Sequence, residues 1–148
     1  MDLDRILTDH GRWLADRTQG KRARLVGADL RGRDLRGADL RRADLRLARL
    51  DGAVLRRADL RWACMQRAMC AGADFTGASL RKARLTGASF ARAKMVDVNF
   101  FQASLTDVDF TGADLTGADL TGADFTGADM YRTVLVDADL TETKGDNP

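Results

Sequence analysis

Residues 111–130 read "TGADLTGADLTGADFTGADM", four near-copies of one five-residue phrase. Five is an awkward number for regular structure. An α-helix turns through about 500° in five residues, so the phrase drifts round its surface and leaves no lasting buried stripe. In a strand alternate residues face opposite ways, so an odd period sends each successive Leu to the other side. The period makes sense for a chain that bends once per phrase.

The phrase continues in both directions. With the large apolar residue as centre, centres fall at each multiple of five from Leu25 to Leu140, 24 positions without an insertion. They are 15 Leu, 5 Phe, Met65, Met95, Met130 and Cys70. Ala stands two residues before the centre in 20 of the 24 cases, the exceptions being Arg33, Val98, Val108 and Thr133. Gly stands two residues after it in 11. In "A-D-L" the Ala and Leu lie two apart, so in extended chain both point inward and the Asp points out. The next pair, often Thr-Gly or Arg-Gly, is the corner, where Gly reaches positive φ without steric penalty. An extended piece and a corner, repeated, wind round an axis. Stacked circuits then pair at a strand spacing of about 4.8 Å, and the product is a β-solenoid in which each circuit touches only its neighbours.

The run "ADLRGRDLRGADLRRADL" (28–45) and the block at 111–130 resemble the pentapeptide-repeat family, whose motif is A(D/N)LXX. The resemblance covers residues 21–142. It implies an all-β fold, a right-handed quadrilateral β-helix with four pentapeptides per coil, about six coils, and residues n and n+20 stacked. Arg33 departs from the motif by putting a charge in an inward slot. The charges are compatible with stacking at twenty: Arg24 faces Asp44, Asp29 faces Arg49, Arg31 faces Asp51, and Lys94 falls between Asp74 and Asp114.

Residues 1–20 read as a short N-terminal capping α-helix, which the resemblance also suggests. Asp2 is a suitable N-cap and Asp4 favours the positive helix start. Leu3, Ile6, Leu7, His10, Trp13 and Leu14 form one apolar stripe that fits across the open first coil. His10 reads as a packing residue of that helix, Gly20 as its end, and Arg33 as tolerated because the first coil is incompletely enclosed. Residues 143–148 read as a polar C-terminal tail.

Composition bounds the function. At 148 residues and 45% hydrophobic the chain suits one domain with a core. It has no 18-residue apolar run, its opening residues do not form a secretory signal, and Cys64 and Cys70 make no disulfide framework. The expected setting is cytoplasmic and bacterial. No nucleophile–histidine pair or phosphate loop is present, and the many Asp fill one outward slot where a short polar side chain bonds local backbone. Neither catalysis nor a cofactor or metal is expected.

Charge is the feature beyond the generic fold. Residues 21–70 hold 14 Lys and Arg against 6 Asp, and residues 97–148 hold 2 against 11 Asp and Glu. At a spacing of twenty, Arg41, Arg61 and Arg81 fall in one outward column, with Arg42, Trp62 and Lys82 beside them. These six are the candidate anion- or partner-binding residues. Like charges in register repel, and Trp62 is a candidate stacking platform. The leading expectation is a non-enzymatic scaffold, monomeric or weakly dimeric, for an unidentified protein partner, with no membrane partner. Two alternatives stand beside it. Some relatives bind DNA gyrase as DNA mimics and protect it from quinolones or toxins, which the resemblance extends to this chain. The Arg column instead suits weak binding of nucleic acid or another polyanion.

Overall fold

The computed structural model describes residues 1–145; residues 146–148, the end of the expected polar tail, lie outside the described residues. After one helix, α1 (Leu3–Ala15), the chain forms parallel bridges between residues n and n+20, one every five residues, from Arg24↔Asp44 to Asp124↔Lys144. The last bridge takes in Lys144, inside the stretch expected as tail. Only the residue before each centre is bridged. The extended side of each phrase is therefore a single bridge between turns rather than a strand.

The hydrogen bonds repeat with the phrase. The centre and the second turn residue donate to the next circuit, as Leu25 N–H does to the Asp44 carbonyl (2.7 Å) and Gly27 N–H to that of Arg46 (2.9 Å). The residue before the centre donates backwards, Asp44 N–H to the Ala23 carbonyl at 2.9 Å. Ala28 N–H closes the corner on the Leu25 carbonyl at 3.1 Å. The corner has positive φ at its third residue, as a type II turn requires.

That slot holds a surprise for the expectation that Gly makes the corners. Thirteen of its occupants are not Gly, and they share its conformation, from Asp97 at φ 54 to Arg42 at φ 60. An L-residue there costs about 1 kcal/mol, so packing and the ladder impose the corner on whatever residue arrives. Space is not what most of these glycines supply: a Cβ on Gly27 would meet nothing within 4 Å, and one on Gly77 only Cγ of Arg57 at 3.5 Å, one circuit earlier.

Inside, Ala23 and the centres from Leu25 to Phe125 are buried, with Val98 and Val108 taking Ala slots. Phe75, Phe90, Phe100 and Phe110 form an aromatic run. Phe90 lies edge-on to Phe75 (5.4 Å) and stacks on Phe110 (5.6 Å between centroids). Thr133, an exception in the Ala slot, donates its hydroxyl to the Phe110 carbonyl at 2.9 Å. Met130, Leu135 and Leu140 at the far end are only partly buried, and Arg33 is exposed.

Helix α1 covers the near end. Asp2 accepts the Arg5 N–H at 3.0 Å as N-cap, and Leu3, Ile6 and Leu7 pack on the core. Trp13 instead stacks with His10 at 5.6 Å and carries the Arg17 guanidinium 3.7 Å above its ring. Gly20, at φ +63, passes so close to the Asp9 carbonyl that a Cβ would collide with it. His10 does more than pack. Fully buried, its Nδ1 accepts the Ala23 N–H at 3.0 Å, so the proton sits on Nε2, which donates to the Arg41 carbonyl at 3.0 Å. The imidazole thus satisfies two backbone groups of the solenoid's first residues.

This packing has two measurable outcomes. Phe90→Ala should lower the unfolding free energy by about 3–5 kcal/mol in urea titrations, whereas the outward Ala71→Thr should stay within about 0.5 kcal/mol; equal losses would contradict the inward assignment. Burial holds the His10 imidazole below its usual 6.5, against the opposing pull of its bond to the Arg41 carbonyl and of Asp39 and with the help of Arg22 and Arg17. The unfolded chain therefore takes up the proton more readily, and stability should fall as pH drops below about 6.5. His10→Phe should remove that dependence between pH 7 and 5 and lower stability by about 2–4 kcal/mol through two unpaired backbone groups; a variant with the parent's melting curve at both pH values would refute the role.

Candidate interaction surface

The first turn residue of each phrase has an amide N–H that the ladder does not use. Where the residue before the centre is Asp, its side chain takes it: Asp124 Oδ1 accepts the Thr126 N–H at 3.0 Å and the Thr126 hydroxyl at 2.7 Å. Asp109, Asp114, Asp119, Asp129 and Asp139 accept the corresponding N–H, as does Asn99. The outward Asp is thus part of the corner.

Where Arg comes directly after the centre, the same Asp also receives the guanidinium. Arg31, Arg36, Arg41, Arg46 and Arg61 each fold back on Asp29, Asp34, Asp39, Asp44 and Asp59, with Nη2–Oδ2 distances of 2.6 Å for Arg41 and Arg61. The sequence spells this as Asp-Leu-Arg, with the two outward residues flanking the buried Leu on the same side. That signal was available and points to a different partner from the facing charges expected twenty apart. Arg24 and Asp44, Asp29 and Arg49, and Lys94 with Asp74 and Asp114 do lie in bridged register. Among the described residues, however, none of these pairs, nor Arg31 with Asp51, comes within ion-pair distance: Arg31 and Arg46 turn to Asp29 and Asp44 two residues away, and Asp74 receives Arg56.

The six candidate residues lie in two adjacent columns. Arg42 N–H donates to the Arg61 carbonyl (2.9 Å), Trp62 N–H to that of Arg81 (3.0 Å), and Lys82 N–H to that of Phe101 (2.9 Å). Arg42, Trp62 and Lys82 all stand at positive φ, which throws their side chains off the corner. Trp62 is 42% exposed, with the Arg42 and Arg61 Cζ atoms 5.2 and 5.9 Å from its ring centroid. Arg81 lies over Phe101 at 5.0 Å. The expected like-charge repulsion in the column is answered by carboxylates: Asp59 pairs with Arg61 and also lies 3.7 Å from Arg41 Nε. Arg41 and Arg61 are therefore occupied, and Phe101 joins the surface as a residue the charge pattern overlooked.

Elsewhere the chemistry is sparse. Cys64 and Cys70 are free thiols, and burial pushes the Cys70 thiol well above its ordinary value. Among the described residues no group of three or more His, Cys, Asp or Glu is placed to hold a metal ion. Among them, too, no helix is long and apolar enough to cross a membrane.

The Arg36 guanidinium holds the Asp34 carboxyl down at about 2, and Arg31, Arg41 and Arg46 lower Asp29, Asp39 and Asp44 in the same way. Because these folded values lie below the unfolded value of about 3.9, the stabilisation is complete above about pH 4 and is lost as pH falls towards 2. Thermal midpoints at constant ionic strength should drop steadily over that window, and a flat profile would show that the Asp–Arg forks contribute nothing.

A sequence model described as pentapeptide repeats (8 copies) matches residues 23–61, 34–69, 68–107 and 103–141. No curated protein matches the chain. Several solved structures do. A pentapeptide repeat protein from the Arabidopsis thaliana thylakoid lumen is 36% identical, with 66% of this chain and 68% of that one covered and a TM-score of 0.40. HetL, involved in heterocyst differentiation regulation in the cyanobacterium Nostoc sp. strain PCC 7120, is 23% identical (90% and 95% covered, TM-score 0.42). A trypsin-treated form of QnrB1, a plasmid-mediated fluoroquinolone resistance protein, is 22% identical (86% and 88% covered, TM-score 0.45).

Proposed function

Because this chain belongs to the pentapeptide-repeat family, we propose that it acts without catalysis, as a rigid scaffold whose outward side chains engage a protein partner. In this reading residues 1–20 cap a right-handed quadrilateral β-helix of about six coils spanning 21–142, and 143–148 form a tail. The observation that carries the proposal is the basic, aromatic corner of Arg42, Trp62, Arg81, Lys82 and Phe101, where Trp62 stands 42% exposed on an otherwise regular wall. Aromatic and Arg side chains are the usual anchors of protein interfaces. The absence of catalysis fits the chemistry of the side chains: both His10 nitrogens are engaged by backbone, and burial disfavours the Cys70 thiolate. The two free thiols suit a reducing compartment.

A second reading, binding to DNA gyrase as a DNA mimic, is favoured by the acidic last third, where residues 97–148 hold 2 Lys and Arg against 11 Asp and Glu. A third, polyanion binding through Arg41, Arg61 and Arg81, is weakened by the carboxylates that already hold two of the three.

Affinity capture from lysate at low and high salt separates these. The parent should retain a defined protein that a triple variant (Arg42→Ser, Trp62→Ala, Lys82→Ser) loses with an unchanged melting temperature. Gyrase subunits retained equally by both would favour the acidic end, and nucleic acid released at high salt would favour the polyanion reading.

A further inference from the structure

Seven arginines stand directly after a buried centre: Arg31, Arg36, Arg41, Arg46, Arg56, Arg61 and Arg81. Five pair with the Asp two residues earlier, and Arg56, which has Val54 there, reaches Asp74 at 2.7 Å instead. Arg81 is the exception. Where residues 38–41 and 58–61 read "ADLR", residues 78–81 read "ASLR", and Ser79 interrupts the carboxylates of its column. Among the described residues Arg81 has no ion-pair partner, and neither its amide N–H nor the Ser79 hydroxyl has a hydrogen-bond partner.

This break in the column opens into a shallow hollow of about 410 Å³ on the outer wall. Arg57, Arg61 and Arg81 stand round it. Of its two acids, Asp59 is held by Arg61; Asp97, whose Oδ1 would meet a Cβ placed on Gly117, pairs with no cation among the described residues. Asn99 is committed to the Phe101 N–H (3.0 Å) and to Asp119 (2.9 Å). Arg57 pairs with no carboxylate among the described residues. The Arg81 Cζ lies over the Phe101 ring, 5.0 Å from its centroid, and a guanidinium over an aromatic ring still has N–H donors for a carboxylate.

We propose that this hollow is a carboxylate-binding site that takes an aspartate or glutamate side chain of a partner protein. The inference rests on the scaffold reading and names the chemistry of its contact. The template for the bound state stands one circuit away. There Asp59 Oδ1 accepts the Arg61 N–H (3.2 Å) and Nε (2.9 Å), and Oδ2 accepts Nη2 at 2.6 Å. An incoming carboxylate meets the same three donors on Arg81, with the Ser79 hydroxyl as a fourth and Arg57 supplying a second cation. The flat fork of donors matches a two-oxygen carboxylate, and the group restores to the column the charge that Ser79 removes.

The test uses the ¹⁵N-labelled full chain, titrated at fixed ionic strength with acetyl-aspartyl-methylamide, which carries one carboxylate. The Arg81 amide and Nε–H resonances should shift saturably, and the asparaginyl analogue should not move them. Ser79→Asp supplies the carboxylate within the chain; it should keep or raise the melting temperature and weaken binding at least tenfold, as should Arg81→Gln. Shifts no larger at Arg81 than at Arg92, or binding unchanged by Ser79→Asp, would overturn the site. So would saturable binding of inorganic phosphate with none of the dipeptide. A captured protein without an Arg81 response removes this site alone, whereas an Arg81 response with no protein captured removes the scaffold reading and leaves a site for small carboxylates.

Discussion

One amide N–H in every five has nowhere to go in the ladder. The centre, the second turn residue and the residue before the centre all donate to a neighbouring circuit, and the Ala donates across its own corner. The first turn residue is left over, and an unpaired backbone donor is costly wherever water is kept from it. The outward Asp answers it from two residues back. Each letter of Thr-Gly-Ala-Asp-Leu then has a task. Thr tethers the Asp, Gly takes positive φ, Ala lets the walls approach, Asp closes the corner and Leu fills the axis.

Much of this was legible in the sequence, because inward slots tolerate few residues. Leu, Phe and Ala at fixed spacing give the core, and residues twenty apart do form the bridges. What was not legible depends on which of two nearby partners a side chain chooses. Arg31 had Asp29 two residues away and Asp51 twenty away, and the shorter loop won. His10 reads as apolar-stripe packing because pattern counts only burial, whereas its two ring nitrogens replace backbone partners at the start of the stack. The corners at Leu47 and Trp62 were hidden for the opposite reason: propensity argues against positive φ there, and tertiary packing overrides it. In the candidate surface, position was legible and charge state was not, since Asp39 and Asp59 cancel Arg41 and Arg61.

The same corner explains the polarity of the rod. Its Asp is a structural residue, so where the Asp is present the charge of its corner depends on the residue directly after the centre. From Arg31 to Arg61 that residue is often Arg, which neutralises the Asp; from Thr76 onward it is most often Thr, which bonds the Asp without answering its charge. Six of the eleven acids of the last third, Asp109, Asp114, Asp119, Asp124, Asp129 and Asp139, are such corner carboxylates left uncompensated. Asp97, Asp107, Asp137 and Glu142 stand instead in the second turn slot, the slot that holds Arg42, Trp62 and Lys82 nearer the helix.

The twenty-residue register has a further consequence for how such a chain can change length. Removing one pentapeptide keeps every inward slot inward, so the core survives. Every outward side chain beyond the cut, however, moves round by one face. Arg81 would leave the company of Arg61 and Trp62, and the exposed columns would be reassembled from unrelated residues. Only a change of twenty residues preserves both. The interior thus reads the sequence modulo five and the exterior modulo twenty, and a length change that is silent in a melting curve can erase the surface completely.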